Sequence, residues 1–156
     1  QSVLFVQEED STMEVLIDPN ALSADGTVAL SSLSFSGDDQ YMAYTLSSVG
    51  SDWKTMHIMD LETRENLDDE LGRLKFGGAA WYNDGFYYSA YDEPEEGMEY
   101  IATTQSPKVY YHKLGASQSD DQLIYENPGE AQKYYWPSTS KDERYLFLGE
   151  SQGTHG

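Results

Sequence analysis

Three histidines, His57, His112 and His155, are the side chains of this sequence with proton chemistry near neutral pH. His57 and His112 fall at similar places in two strand-like runs, Trp53 to Leu61 and Lys108 to Leu114, and His155 stands in the terminal tail. A zinc site would need paired ligands, and no H-x-x-x-H pair occurs. There is no cysteine, which excludes thiol catalysis, disulfides and cysteine-held metals. The letters G-x-S-x-G occur once, at Gly149 to Gly153, but within the end of a strand-like run rather than at a strand-to-helix turn, so they are not read as a nucleophile elbow. A Ser-His-Asp triad can be drawn on paper from many serines, but nothing selects one. The histidines are therefore expected to be structural or superficial. No catalytic residue, no metal ligand and no cofactor is assigned.

Two acidic features come next. Asp92 to Glu99 is a carboxylate-rich loop that lacks the alternating ligands of a calcium loop, with Pro94 at the third position, so it reads as a solvated insertion. Asp38, Asp84 and Asp142 each sit in a polar turn between apolar runs. An aspartate there accepts hydrogen bonds from backbone N–H groups one or two residues on, a structural task. Phe76 is different. It precedes Gly77 and Gly78, where the backbone can approach another surface closely.

The elements that would position these residues repeat. Leu33 to Tyr44, Ala79 to Ser89 and Pro137 to Leu148 each hold a β-prone run, an aspartate turn and an aromatic-rich run, and the aspartates recur after 46 and then 58 residues. Self-similarity at this spacing, built from short strands, is the signature of β-propeller blades. Strands are expected at Val28 to Phe35, Tyr41 to Ser47, Trp53 to Leu61 and Asn66 to Leu71. The order restarts at Phe76 to Trp81, Phe86 to Tyr91, Lys108 to Leu114 and Gln122 to Tyr125. Asp18 to Asn20 is read as a turn before proline. No helical apolar period persists. The expected fold is all-β: an incomplete β-propeller of about two whole four-stranded antiparallel blades plus two partial ones. The end of one blade covers 1–22, whole blades cover 28–71 and 74–126, and the start of the next covers 133–150. Both ends read as cut, because the chain begins in a strand and stops just after one.

Composition bounds the partners. The 156 residues suffice for a domain with a core, and 13% are aromatic, which suits half-buried strands. Against 28 acidic residues stand 9 basic ones, for a net charge of −19. Such a charge repels phosphate backbones and anionic lipid, so neither nucleic acid nor membrane is an expected partner. No apolar run approaches the ~18 residues of a membrane span. The compartment stays open between cytosol and bacterial periplasm. Unpaired edges of an open fragment would invite an edge-strand oligomer.

Several runs carry a resemblance. Asp18 to Leu30 (D-P-N-x-L-S-x-D-G-T-x-A-L), Phe35 to Tyr44, Gly50 to Trp53, Leu74 to Phe76, Ala80-Trp81 and Val109 to His112 resemble the propeller of the prolyl oligopeptidase (prolyl endopeptidase) family. The resemblance runs along the whole chain in order. It implies a two-domain serine peptidase in which a seven-bladed propeller caps an α/β-hydrolase domain. That domain carries the Ser-Asp-His triad and cleaves short proline-containing peptides, while the propeller keeps out large folded substrates. The present chain would be the first half of the propeller, with the hydrolase domain of the same parent chain as its partner and without peptidase activity of its own. It also implies that Phe76, the aromatic of the L/V-K-F element, is substrate-binding and contacts the residue two positions before proline. The alternative is a stand-alone propeller-like interaction module without catalysis.

Overall fold

Alternation of apolar and polar residues makes most of the chain strand. The computed structural model describes residues 1–48, 50–93, 106–129 and 133–153. Among them are twelve strands: β1 (Leu4–Val6), β2 (Glu14–Ile17), β3 (Val28–Phe35), β4 (Tyr41–Ser48), β5 (Lys54–Asp60), β6 (Asn66–Leu74), β7 (Ala80–Tyr82), β8 (Gly85–Ala90), β9 (Lys108–Lys113), β10 (Gln122–Tyr125), β11 (Lys133–Thr139) and β12 (Leu146–Gln152). Every pairing is antiparallel between sequence neighbours. The result is two four-stranded meanders, β3 to β6 and β7 to β10, flanked by the pairs β1-β2 and β11-β12. No helix among the described residues is long and apolar enough to cross a membrane.

Local chemistry sets the hairpins. In the β3–β4 turn the Ser36 hydroxyl donates to Asp38 at 2.6 Å and accepts from the Tyr41 N–H, and Asp38 accepts from the Gln40 N–H. Asp39 takes the left-handed φ of 57° that closes the turn. The β11–β12 turn repeats this residue by residue through Ser140, Asp142, Glu143 and Tyr145. Asp84 departs from the pattern. Its turn has only Asn83 and Asp84 between the strands, and its carboxylate accepts from the Tyr111 hydroxyl and pairs with Lys113 on β9.

Three expected elements differ. Asp18 to Asn20 is not a plain turn but the start of one helical turn, α1 (Pro19–Leu22), because Asp18 caps the Asn20 N–H and Pro19 fits the first turn. The outer strand expected to stop at Leu71 runs to Leu74, carried past a bulge at Gly72 and Arg73. The strand expected from Phe76 begins only at Ala80, because Gly77, with φ +80°, leaves the extended region. Phe76 therefore lies on the link between sheets.

The sheets stack face to face. Met56, Ile58, Leu71 and Leu74 from β5 and β6 meet Trp81, Phe86 and Tyr88 from β7 and β8. Ile17, Met42, Tyr44 and Met59 fill the preceding seam. Phe86 is fully buried, so Phe86→Ala would cost about 3–5 kcal/mol. The first strands lie side by side: Trp81 Nε1 donates to Ser34 Oγ at 3.3 Å, and Thr139 Oγ1 donates to the Trp81 carbonyl at 3.0 Å. Inner strands in a row with meanders stacked behind them make an incomplete β-propeller.

Candidate functional site

Phe76 projects from the link between β6 and β7 with 46% of its surface exposed. The link is held on both sides. Before it, Leu74 is buried and the Arg73 carbonyl accepts from the Tyr91 N–H at 3.0 Å. After it, Gly77 packs where an added Cβ would lie 3.9 Å from Trp136. The Phe76 ring meets Tyr134 edge to face, with centroids 4.8 Å apart and planes at 83°, a favoured geometry for aromatic pairs. The cavity between Phe76, Tyr134 and Trp136 is about 20 Å3. An apolar ligand side chain would therefore lie against the ring faces rather than enter a socket.

Lys75 turns the other way. Its ammonium lies 4.4 Å from the Trp53 ring centre and 5.5 Å from that of Tyr91, and those two rings meet at 90°. The cation is held by π-faces. Burial, followed by the neighbouring Tyr134 hydroxyl, pushes the Tyr91 phenol up to about 12, so it stays neutral and donor-competent. The link thus offers one apolar ring and one positive charge in succession.

A second cluster is buried nearby. His112 on β9 is 1% exposed; its Nδ1 lies 2.7 Å from Asp121 and its Nε2 2.8 Å from Asp69 on β6. Asp69 also accepts from the Gly115 N–H, and Asp121 from the Tyr88 hydroxyl at 2.6 Å. Burial pushes the His112 imidazolium down, but the hydrogen bonds and charges of Asp121 and Asp69 more than offset it and raise the pKa above 6.5. His57 is the opposite case. Burial lowers it, and Glu70, 3.8 Å away, only partly compensates.

The histidines are not repeat-equivalent. Leu61 N–H bonds to Gln40 as Leu114 N–H bonds to Asp84, so His112 takes the place of Met59. His155 and residues 94–99 of the acidic loop lie outside the described residues; Asp92 and Glu93 pair with Lys108 and Arg73. Sequence reasoning missed Tyr134 and Trp136 as the support of Phe76, although the aromatic run Tyr134 to Trp136 was a signal for them. It also missed the Asp69–His112–Asp121 bridge, which no local motif announces.

Two four-stranded antiparallel meanders flanked by two strand pairs place the chain in the class of β-propeller domains. The chain belongs to the family described as prolyl oligopeptidase, N-terminal beta-propeller domain, whose model matches residues 1–155. It is 41% identical to the prolyl endopeptidase of Elizabethkingia meningoseptica over 100% of this chain and 22% of that protein. It is 29% identical to the dual function macrocyclase-peptidase POPB of Galerina marginata over 96% of this chain and 22% of that one. Among solved structures, one from a study of two prolyl endopeptidases superposes with a TM-score of 0.83 at 33% identity, covering 99% of this chain and 22% of that one. Galerina marginata prolyl oligopeptidase B bound to a 25mer macrocyclization substrate superposes at 0.84 with 27% identity, over 97% and 24%. The chain thus spans under a quarter of the length of these relatives.

Proposed function

We propose that residues 1–156 form part of the substrate-gating propeller of a serine peptidase that cleaves short peptides after proline. The triad lies in an α/β-hydrolase domain of the same parent chain, outside these residues, so the piece alone does not hydrolyse peptides. The propeller admits short peptides and excludes folded ones, and Phe76 is the apolar contact for the residue two positions before proline. One observation supports this role above others: Phe76 is an exposed ring on a link braced from both sides, where the core does not need it.

The test is Phe76→Ala in the full-length protein, assayed on two peptides that carry phenylalanine or glycine at that subsite. Losing one ring-to-ring contact removes about 1–2 kcal/mol, or roughly a 5- to 30-fold fall in kcat/KM. The fall is expected for the phenylalanine peptide alone. An equal effect on both peptides, or none, refutes the role of Phe76.

A further inference from the structure

The His112 bridge is charged by construction. Both ring nitrogens face carboxylate oxygens, at 2.7 and 2.8 Å. A neutral imidazole has one N–H and would turn its other lone pair against a carboxylate. The remaining partners of the carboxylates, the Gly115 N–H and the Tyr88 hydroxyl, are donors, so Asp69 and Asp121 act as acceptors. The other rings against His112 are Phe86 and Tyr88, both from β8. Among the described residues, Asp69 from β6, Asp121 at the start of β10 and Tyr88 from β8 are the titratable groups that touch it.

The preceding sheet builds the same place without charge. There Tyr44 donates to Asn66, and Asn66 pairs with Met59. In the second sheet Tyr88 donates to Asp121, and Asp121 meets His112. Asparagine and methionine are thus replaced by aspartate and histidine, and the histidine reaches across the seam to Asp69 of the neighbouring sheet.

From Asp69 the ties run down β6 toward Phe76. The bulge frees both peptide groups of Gly72 from the ladder, and the side-chain amide of Gln118 takes both: it accepts from the Gly72 N–H and donates to the Gly72 carbonyl, each at 3.0 Å. The same amide donates to the Tyr88 hydroxyl. Arg73, at φ 62°, then offers its carbonyl to the Tyr91 N–H. Lys75 on its two rings and Phe76 follow.

We propose that Asp69, His112 and Asp121, with Gln118 clasping the Gly72 bulge, form a charge latch between two blades that positions the Phe76 link and loosens when His112 loses its proton. Because the folded His112 titrates above the 6.5 of an unfolded histidine, the latch is complete below that value and is lost as pH rises through the folded one. Deprotonation would leave two buried carboxylates sharing one N–H. The latch stands without any role for Phe76; only its effect on peptide choice rests on the proposed function.

Long-range nitrogen–proton spectra of the histidine rings of the full-length protein, taken across neutral to alkaline pH, read the latch directly. His112 is expected to show two N–H groups at neutral pH and a midpoint above 6.5. Amide exchange of residues 70–77, corrected for intrinsic pH dependence, is expected to quicken about tenfold above that midpoint, with β3 and β4 unchanged. His112→Gln should reproduce the quickening at neutral pH. A single ring N–H at neutral pH, or unchanged exchange at 70–77 through the titration, overturns the latch. Should His112→Gln not fold, the wild-type pH series decides alone. The peptide preference is read separately: if Phe76→Ala leaves it unaltered while exchange responds to pH, the latch holds and the substrate role of Phe76 falls.

Discussion

Gly85→Ala offers a severe test of the β8–β9 packing. A Cβ on Gly85 would sit 1.9 Å from the His112 carbonyl oxygen, 2.9 Å from its carbon and 3.0 Å from the Lys113 Cα. All three atoms are backbone of the neighbouring strand, so no rotamer change relieves the overlap. A carbon-to-oxygen contact needs about 3.2 Å or more, so β8 and β9 must part by more than 1 Å at this point. The pairs Gly85 with Lys113 and Phe86 with His112 lie at the opening. Overpacking costs about 1–3 kcal/mol, and one buried backbone bond left unmade adds about 1–3 kcal/mol. The expected loss is about 2–6 kcal/mol, a large share of a typical domain's stability. Gly72→Ala is the control, since a Cβ there meets nothing within 4 Å and Gly72 carries no positive φ. Urea unfolding of the full-length protein, followed by near-UV circular dichroism, measures both. Gly85→Ala falling within about 1 kcal/mol of wild type would refute the strand packing on which the argument rests.

Further outcomes follow from single contacts. Gly149→Ala would place a Cβ 2.2 to 2.5 Å from the Trp136 indole; that side chain can swing out, so a red-shifted Trp136 fluorescence and a cost of about 1–2 kcal/mol are expected. Unshifted emission would count against the stacking of Trp136 on Gly149. His57 and His112 should titrate on opposite sides of 6.5, His57 below and His112 above. The His57 contribution is present above 6.5 and lost as pH falls through its folded value, opposite in sign to His112; ring-proton titration checks both. Residues 1–156 expressed alone should associate, because Tyr145, Phe147 and Leu148 of the last hairpin are exposed beside an edge that no strand among the described residues pairs. A monomer by light scattering at high concentration would refute this.

Much of the architecture was legible because its signals are local. Ser36 with Asp38, and Ser140 with Asp142, write the same hairpin twice within a few residues, and such turns mark blades before any packing is known. Asp84 looked alike and is not, because its two-residue turn sends the carboxylate across to Tyr111 and Lys113. The charged run from Asn66 to Leu71 made a weak strand for a physical reason. Its inward positions read Leu67, Asp69 and Leu71, and the aspartate is buried there only because a histidine 43 residues away meets it. The histidines misled for a related reason. Placing His57 level with His112 is two residues out, which keeps the face of the strand but changes every neighbour. The structure aligns Met59 with His112, a slip no composition could correct. Phe76 was singled out through its resemblance to a family motif and its glycines, whereas the Tyr134 ring beside it comes from another sheet.

The two seams of this propeller make a controlled comparison. Met42, Tyr44 and Met59 close the first with flexible apolar side chains, and Phe86, Tyr88 and His112 close the second at the corresponding places. Apolar packing is non-directional, so the interior of the first seam sets no register of its own, and its ion pairs, Arg64 with Glu8 and Glu14, lie at the exposed rim where water screens them. The second accepts only the arrangement that keeps both ring nitrogens on their carboxylates, since any other leaves a buried charge unpaired. A costly, directional contact gains nothing over methionine if the only task is to bury surface. It fixes relative position, and it does so on the strand that leads into Lys75 and Phe76. The seam that carries a buried charged bridge is therefore the one beside the ring proposed to meet substrate, while the seam farther from it has an apolar interior and keeps its ion pairs at the exposed rim.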